Sequence, residues 1–190
     1  MVHPSGVHVL CAPKSPEYAE LVSPEKLQNL LSLIRSYYDY VIIDTPPAFT
    51  EISITAIEAS TLVLFVTGLD ISILKNSKLS MSLLDSLQQK EKVRLIVNRA
   101  VEMNSVTIND VQTILGCPIW ARIPSDYKVA VSSLNRGEPI VTGSPNSRIG
   151  MAISDMANLI ESGEPDADTE ALKDKAKRKK GLFGRKDDAE

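Results

Sequence analysis

Tyr40-Val41-Ile42-Ile43-Asp44-Thr45-Pro46-Pro47 is the stretch that decides the fold, because an apolar run ends there in a carboxylate and a turn. The run has the length of a buried strand, with Asp44 at its carboxyl end. Open α/β sheets bind ligands in the crevice beyond the carboxyl ends of their strands. Pro46 and Pro47 lack the N–H groups that a ladder needs, so the chain should leave the sheet there. We expect Asp44 to face a ligand crevice; the alternative is a strand that ends in an ordinary polar turn.

Other apolar runs alternate with helical patterns along most of the chain. Five strands are predicted, at residues 7–11, 40–44, 62–67, 93–98 and 119–123. Continuous apolar runs are typical of parallel strands that are covered on both faces. The sequence therefore predicts an α/β fold with a doubly wound, mainly parallel sheet.

Local signals mark where several helices begin and end. Ser23 followed by Pro24 is typical of a capped first turn, and Thr107 with Asp110 predicts a capping box. Gly116 should end that helix in the left-handed conformation.

Three further helices are expected on similar grounds. One should begin after Asp126 and end near Gly137, and the last should cover residues 146–160. A third is predicted to bury one face, formed by Leu79, Leu83, Leu84 and Leu87.

Composition narrows the class of protein. Of the 190 residues, 43% are hydrophobic and 24% are charged, and the net charge of -3 argues against a mainly nucleic-acid-binding body. The apolar runs are too short to span a bilayer, so we expect a cytoplasmic protein. His3 and His8 are the only histidines, which leaves little material for a Ser-His-Asp triad or a histidine metal site.

The chain is expected to form one domain over residues 1–162 and a charged, disordered tail over 163–190. Residues 173–186 are strongly basic, and their apolar content is low. The alternative for this tail is weak docking on an anionic membrane, at the inner face of the cell membrane.

Several short segments occur in a specific order across residues 3–160: His3-Pro4-Ser5-Gly6, Leu10-Cys11-Ala12-Pro13, the segments at 16–22 and 39–47, Leu69-Asp70, Leu74-Lys75-Asn76, Val97-Asn98-Arg99, Ile123-Pro124-Ser125-Asp126 and Asn135-Arg136-Gly137-Glu138-Pro139. Together they resemble the MinD/ParA family of deviant Walker-A ATPases, which have a P-loop NTPase-like fold of the SIMIBI type. They are most similar to its CpaE/TadZ branch from pilus-assembly systems.

This resemblance implies a site for ATP and Mg²⁺. Asp44 matches the Walker-B-like catalytic residue, which holds the magnesium ion beside the phosphates, and a lone carboxylate suits that ion's hydrated octahedral shell. Asn98 matches the residue that recognises adenine; its alternative role is to cap a loop at a strand end. Pro124 and Asp126 match the family's loop that lines the adenine from the other side. Arg99 is the remaining binding candidate and could instead form a structural ion pair.

The sequence departs from the family in one respect. A phosphate-binding loop needs clustered glycines followed by Lys and Ser or Thr, and no stretch of these 190 residues has that pattern. The resemblance thus implies the C-terminal portion of a longer ATPase, with a sheet that lacks its P-loop strand between residues 40–44 and 62–67. We expect those two segments either to pair directly or to leave a destabilising gap.

Two functions from different classes remain open at this point. The first is an ATPase that localises or regulates assembly of a type IV (Flp/Tad) pilus or secretion apparatus, homodimeric in its complete form. The second is a nucleotide-independent scaffold or localisation module. A bacterial tyrosine kinase-like domain is a third alternative. It is weaker because such kinases usually end in a tyrosine cluster, whereas no Tyr follows Tyr127 in this sequence. For this chain alone we expect no tightly bound ATP or Mg²⁺.

Overall fold

The computed structural model describes residues 1–13, 15–19, 21–101 and 106–163. The chain divides into two compact units, Met1–Thr61 and Leu62–Glu190, and each is described by itself. The predicted division into a domain at 1–162 and a tail stays a prediction, since residues 164–190 lie outside the described part. The basic stretch at 173–186 lies outside it too.

The first unit is built on three helices: α1 (Pro16–Ala19), α2 (Pro24–Ile34) and α3 (Glu51–Ala59). As predicted, Ser23 caps α2, and its Oγ accepts a hydrogen bond from the Lys26 backbone N–H at 3.3 Å. Helices α2 and α3 pack together and bury Leu31 and Ala56. This small apolar interface is the core of the first unit.

The two strands predicted in this unit are not formed. The segments 7–11 and 40–44 belong to no strand ladder in the described part of the chain, and the only pairing near them is an isolated bridge between Val2 and His8. Ile42 is 92% exposed, so the apolar run that predicted a buried strand is not buried. An apolar pattern predicts which residues could be buried. A strand also requires a neighbouring strand that satisfies its N–H and C=O groups, and the pattern does not predict that neighbour.

The second unit contains a three-stranded parallel sheet in the order β1-β2-β3. The strands are β1 (Val63–Thr67), β2 (Val93–Ala100) and β3 (Ile119–Pro124). The helices are α4 (Ile71–Ser86), α5 (Ile108–Leu115), α6 (Tyr127–Arg136), α7 (Ile140–Gly143) and α8 (Arg148–Ser162), with a short 3-10 helix at Lys90–Lys92.

The core of this unit surrounds the central strand. Leu95, Ile96 and Val97 of β2 are consecutive and almost fully buried, as expected for a parallel strand covered on both faces. Helix α8 packs on β3, while α4 contacts β1 and α5. The α/β class and the parallel sheet are therefore confirmed.

The outer edge of β1 carries no partner strand among the described residues. Direct pairing between residues 40–44 and 62–67, one of the two expected outcomes, is thus not formed. Leu64 is 41% and Val66 56% exposed, although this strand has the uncharged, apolar sequence of a sheet interior.

Helix α4 buries a different face from the one predicted. Its buried residues are Leu74, Ser77, Met81 and Leu84. Of the predicted stripe only Leu84 belongs to this face, and Leu79 is 65% exposed. The phase of the helix is set instead by its start, where Asp70 caps the first turn, and by a buried hydrogen bond of 2.8 Å between Ser77 Oγ and Thr67 Oγ1 of β1.

The predicted capping box of α5 is confirmed. The Thr107 hydroxyl accepts from the Asp110 N–H at 3.2 Å, and Asp110 Oδ2 accepts from the Thr107 N–H at 2.8 Å. Gly116 ends the helix at a φ of 59°. The Thr107 side chain and backbone both donate to the Asp110 carboxylate, so these bonds hold its pKa below the ordinary value.

The capping box predicts a pH dependence of stability. Because the folded-state pKa of Asp110 is lowered, its stabilising contribution is present above the unfolded pKa, about 3.9, and is lost as pH falls through the folded value. Asp110→Asn should therefore be less stable than the parent at pH 6 and approach it at pH 2. Urea unfolding at both pH values measures this, with Asp155→Asn as a control in which no box is broken. A stability difference that stays constant with pH would contradict the assignment.

Candidate functional site

The carboxyl ends of β2 and β3 bring two of the sequence-predicted site residues to one end of the sheet. Ala100 is paired with Pro124, so Asn98 and Pro124 stand at the ends of neighbouring parallel strands. The register of β2 is irregular between Val97 and Ala100, and Arg99 within this bulge has a φ of 52°. A left-handed backbone is uncommon outside glycine, and bulges beside ligand sites redirect side chains.

The side chain of Asn98 is oriented by the backbone of the next residue. Its Oδ1 accepts a hydrogen bond from the Arg99 N–H at 2.8 Å, which orients the amide group, and the residue is half-buried. No described residue accepts a hydrogen bond from its Nδ2. An amide oxygen has two acceptor positions, so Asn98 keeps both a donor and an acceptor for a planar heterocycle. The loop-capping alternative and the adenine role are thus compatible in one geometry.

Asp126 holds the loop that follows β3. Its Oδ1 accepts from the Val129 N–H at 3.2 Å and caps α6, whose other end is Gly137 with a φ of 63°. Both helix boundaries agree with the sequence prediction. The carboxylate is engaged with the helix, so its direct effect is to position Pro124 and Ser125; a direct contact with a cofactor stays a prediction.

Arg99 extends from the bulge into solvent. The structural ion pair considered for it is not formed with any described acidic residue. Its guanidinium is therefore available to a ligand at this end of the sheet, and its binding role stays a prediction.

At the end of β1 the backbone lies close to the Ile73 side chain, a contact that was not predicted from the sequence. A β-carbon added at Gly68 would lie 3.1 Å from Ile73 Cδ1 and 3.9 Å from the Asn98 carbonyl oxygen. Asp70 then caps α4 by accepting from the N–H groups of Ser72 and Ile73 at 2.8 and 3.3 Å. Gly68 thus leaves room for the Ile73 side chain at the end of β1. The signal for it was a glycine immediately after an apolar strand.

Asp44 belongs to the first unit and is exposed in a segment without regular secondary structure. Within the described residues, no group of three or more His, Cys, Asp or Glu side chains is arranged to hold a metal ion. The assignment of Asp44 to magnesium and catalysis therefore stays a prediction that rests on the sequence motif.

Comparison with known proteins shows which proteins this chain is similar to. A family model described as an AAA domain matches residues 14–97. The septum site-determining protein MinD of Synechocystis sp. is 27% identical over 147 residues, which are 75% of this chain and 54% of that protein. A MinC:MinD cell division protein complex from Aquifex aeolicus matches with a TM-score of 0.67 and 27% identity, over 76% of this chain and 61% of the matched chain. These matches support a MinD/ParA-type P-loop ATPase family.

Two further solved structures share the MinD/ParA fold. A ParA family ATPase from Chlorobium tepidum TLS matches with a TM-score of 0.72 over 77% of this chain and 60% of its own, at 24% identity, which shows the fold alone. A MinD from Pyrococcus horikoshii OT3, complexed with Mg-ADP, matches with a TM-score of 0.60 and 25% identity over 73% of this chain and 56% of its own.

The chain corresponds to only part of the MinD proteins that it matches. This chain spans about half the length of the curated MinD proteins that it matches, 54% of one and 44% of another. None of the helices in the described residues has both the length and the apolar character needed to cross a bilayer.

Proposed function

We propose that this MinD/ParA-type chain provides the adenine end of an ATP site in an ATPase that localises or regulates the assembly of a type IV (Flp/Tad) pilus or secretion apparatus. The observation that carries the nucleotide part is the position of Asn98, in a bulge at the end of β2 and beside the loop after β3. The pilus part is supported by the segments of this sequence that resemble the CpaE/TadZ branch.

The geometry at this end of the sheet suits a planar, uncharged heterocycle. Asn98 offers a donor and an acceptor, and the Pro124–Asp126 loop offers backbone groups that Asp126 holds in place. Recognition by paired donors and acceptors rejects ligands that leave one of them unpaired, because a buried unpaired polar group is costly. Adenine meets both demands on one edge.

Magnesium is assigned to a residue of the first unit in this proposal. Asp44 would hold Mg²⁺ in the complete site, as its strand-end motif in the sequence suggests, and the bound Mg-ADP of the Pyrococcus relative supports that cofactor. In the complete form we expect a homodimer. Pilus or secretion proteins are the expected partners, and specific nucleic acid is not.

A second candidate is a nucleotide-independent scaffold. It is favoured by one observation: no Gly-Lys-Ser or Gly-Lys-Thr phosphate loop occurs in these 190 residues. The two candidates differ in whether cells require the adenine contact.

Replacing Asn98 with alanine at the native gene distinguishes the two candidates. We expect the ATPase to lose assembly of surface pili, with the spacing of division septa unchanged, because the adenine contact is removed. Electron microscopy of pili and a count of septa measure both. Asn109→Ala, an exposed amide on α5, is the matched control and should leave pili intact.

Three outcomes would favour a different function for this chain. Normal pili in Asn98→Ala cells, with pili lost only on deletion of the gene, would favour the scaffold. Misplaced septa with normal pili would assign the chain to cell division. Pili unaffected by deletion of the gene would exclude the pilus role.

A further inference from the structure

A groove of about 330 Å³ runs along the free edge of β3. The four consecutive residues 119–122 all line it. Side chains of a strand alternate between its two faces, so four consecutive residues line one cavity only where that cavity follows the strand's edge. Strand β2 occupies the opposite edge of β3, and no described strand pairs with the edge at the groove.

One face of α8 forms the other wall. Ala152, Asp155, Met156 and Leu159 line the groove at the spacing of a single helical face. Three of them are apolar, and the fourth, Asp155, is a carboxylate with no hydrogen-bond or ion-pair partner among the described residues. Arg122, at the rim, is already engaged in an interaction of its own. The groove thus combines an apolar wall with one available negative charge.

Trp120 supplies an unpaired donor in the same place. Its side chain is 3% exposed, and its indole N–H has no hydrogen-bond partner within the described residues. A buried donor without an acceptor is costly, so native structures rarely leave one unpaired. An occupant of this groove that brings carbonyl oxygens would remove that cost.

We propose that this groove binds an extended basic peptide segment of a partner protein, added as a strand to the edge of β3. A free strand edge is recognised by another backbone, which supplies alternating N–H and C=O groups. Apolar side chains of the segment pack against Met156 and Leu159, and a lysine or arginine pairs with Asp155. Charge complementarity selects the basic segment, since Asp155 is the lining charge that has no partner among the described residues, whereas Arg122 is already engaged.

The length of the edge sets the length of the segment. Pro124 has no N–H, so the ladder with β3 ends before it and covers residues 119–123. Five residues of strand extend about 16 Å. The occupant is therefore a segment of about five residues, and it is independent of the nucleotide site at the ends of β2 and β3.

Trp120 is the only tryptophan of the chain, so its fluorescence reports on this groove alone. The full chain is titrated with the blocked peptide Ac-Lys-Val-Leu-Val-Leu-Lys-NH₂ and with the same peptide carrying Glu at both ends. We expect a saturable change with the Lys peptide and binding at least about tenfold weaker with the Glu peptide, a difference of about 1.4 kcal/mol.

Two sets of variants separate strand addition from simple charge attraction. N-methylation of the alternate peptide amides that face β3 should abolish binding, whereas methylation of the other amides should not. Asp155→Lys, an exposed position, should reverse the preference in favour of the Glu peptide. Glu91→Lys, outside the groove, is the control and should change nothing.

Several results would overturn the proposal. No saturable change in Trp120 fluorescence, either in the folded full chain or in a chain ending at Gly163, would exclude a peptide groove. Equal loss with both methylated sets would exclude a ladder. A dimer in sedimentation that the peptide dissociates would assign the groove to a second copy. Binding that occurs only in a chain ending at Gly163 would assign it to residues 164–190.

Discussion

Replacing Leu84 with alanine is expected to lower the free energy of unfolding by about 2–5 kcal/mol. Leu84 is fully buried, and it lies on the same face of α4 as Leu74 and Met81. Truncation removes the apolar contacts of three carbon atoms and leaves a cavity that the surrounding helix and strands fill only in part. Urea denaturation followed by circular dichroism measures the change.

Leu79→Ala is the matched control for Leu84→Ala. Both substitutions make the same chemical change within one helix, but Leu79 is 65% exposed. We expect the control to alter stability by no more than about 0.5 kcal/mol. If the two variants were equally destabilised, the helix would pack through the leucine stripe that the sequence suggested, and the observed phase of α4 would be wrong.

The contrast between these two leucines shows what the sequence could predict. Local signals were sufficient where the physical cause is local: the capping box at Thr107 and Asp110 and the left-handed stop at Gly116 need only neighbouring residues. The face of α4 is not local. It depends on the hydrogen bond between Ser77 and Thr67, which joins the helix to a strand, whereas the four leucines predicted the stripe by spacing alone.

Strand formation likewise depends on residues that are distant in the sequence. The three strands of the second unit were predicted within one or two residues because continuous apolar runs and a parallel neighbour coincide there. The run at 40–44 has an equally apolar sequence and forms no strand, since no ladder partner is present for it among the described residues. Strand pairing depends on two segments, and the sequence of one segment does not show whether a second strand will lie beside it.

The candidate site was predictable in its placement and not in its detail. Parallel topology alone puts Asn98 and Pro124 at one end of the sheet. The bulge and the φ of 52° at Arg99 could not be predicted, because arginine has no preference for that conformation. The strained residue beside Asn98 is the strongest structural hint that this end is functional.

The second large effect concerns nucleotide affinity. We expect Mg-ATP to bind residues 1–190 with a dissociation constant of about 1 mM or weaker, which corresponds to about -4 kcal/mol. The adenine contacts of Asn98 and the Pro124 loop can contribute a few hydrogen bonds, part of which offsets the lost freedom of the ligand. The triphosphate brings several negative charges, and the sequence offers no glycine-rich loop and paired lysine to receive them.

Two variants should therefore differ in how strongly they bind nucleotide. Asn98→Ala should weaken nucleotide binding by about tenfold, because it removes the paired donor and acceptor. Asp44→Ala should leave binding unchanged, since a magnesium ligand contributes only where the phosphates are held. Hydrolysis of ATP should be undetectable for the parent and for both variants.

Calorimetric titration of the full chain with adenosine and with Mg-ATP tests most directly the claim that its nucleotide chemistry lies at the adenine end. We expect equal, roughly millimolar affinities for the two ligands, both weakened by Asn98→Ala and neither by Asp44→Ala. Micromolar binding of Mg-ATP, with adenosine far weaker and the difference lost in Asp44→Ala, would contradict it by revealing a phosphate site within these 190 residues.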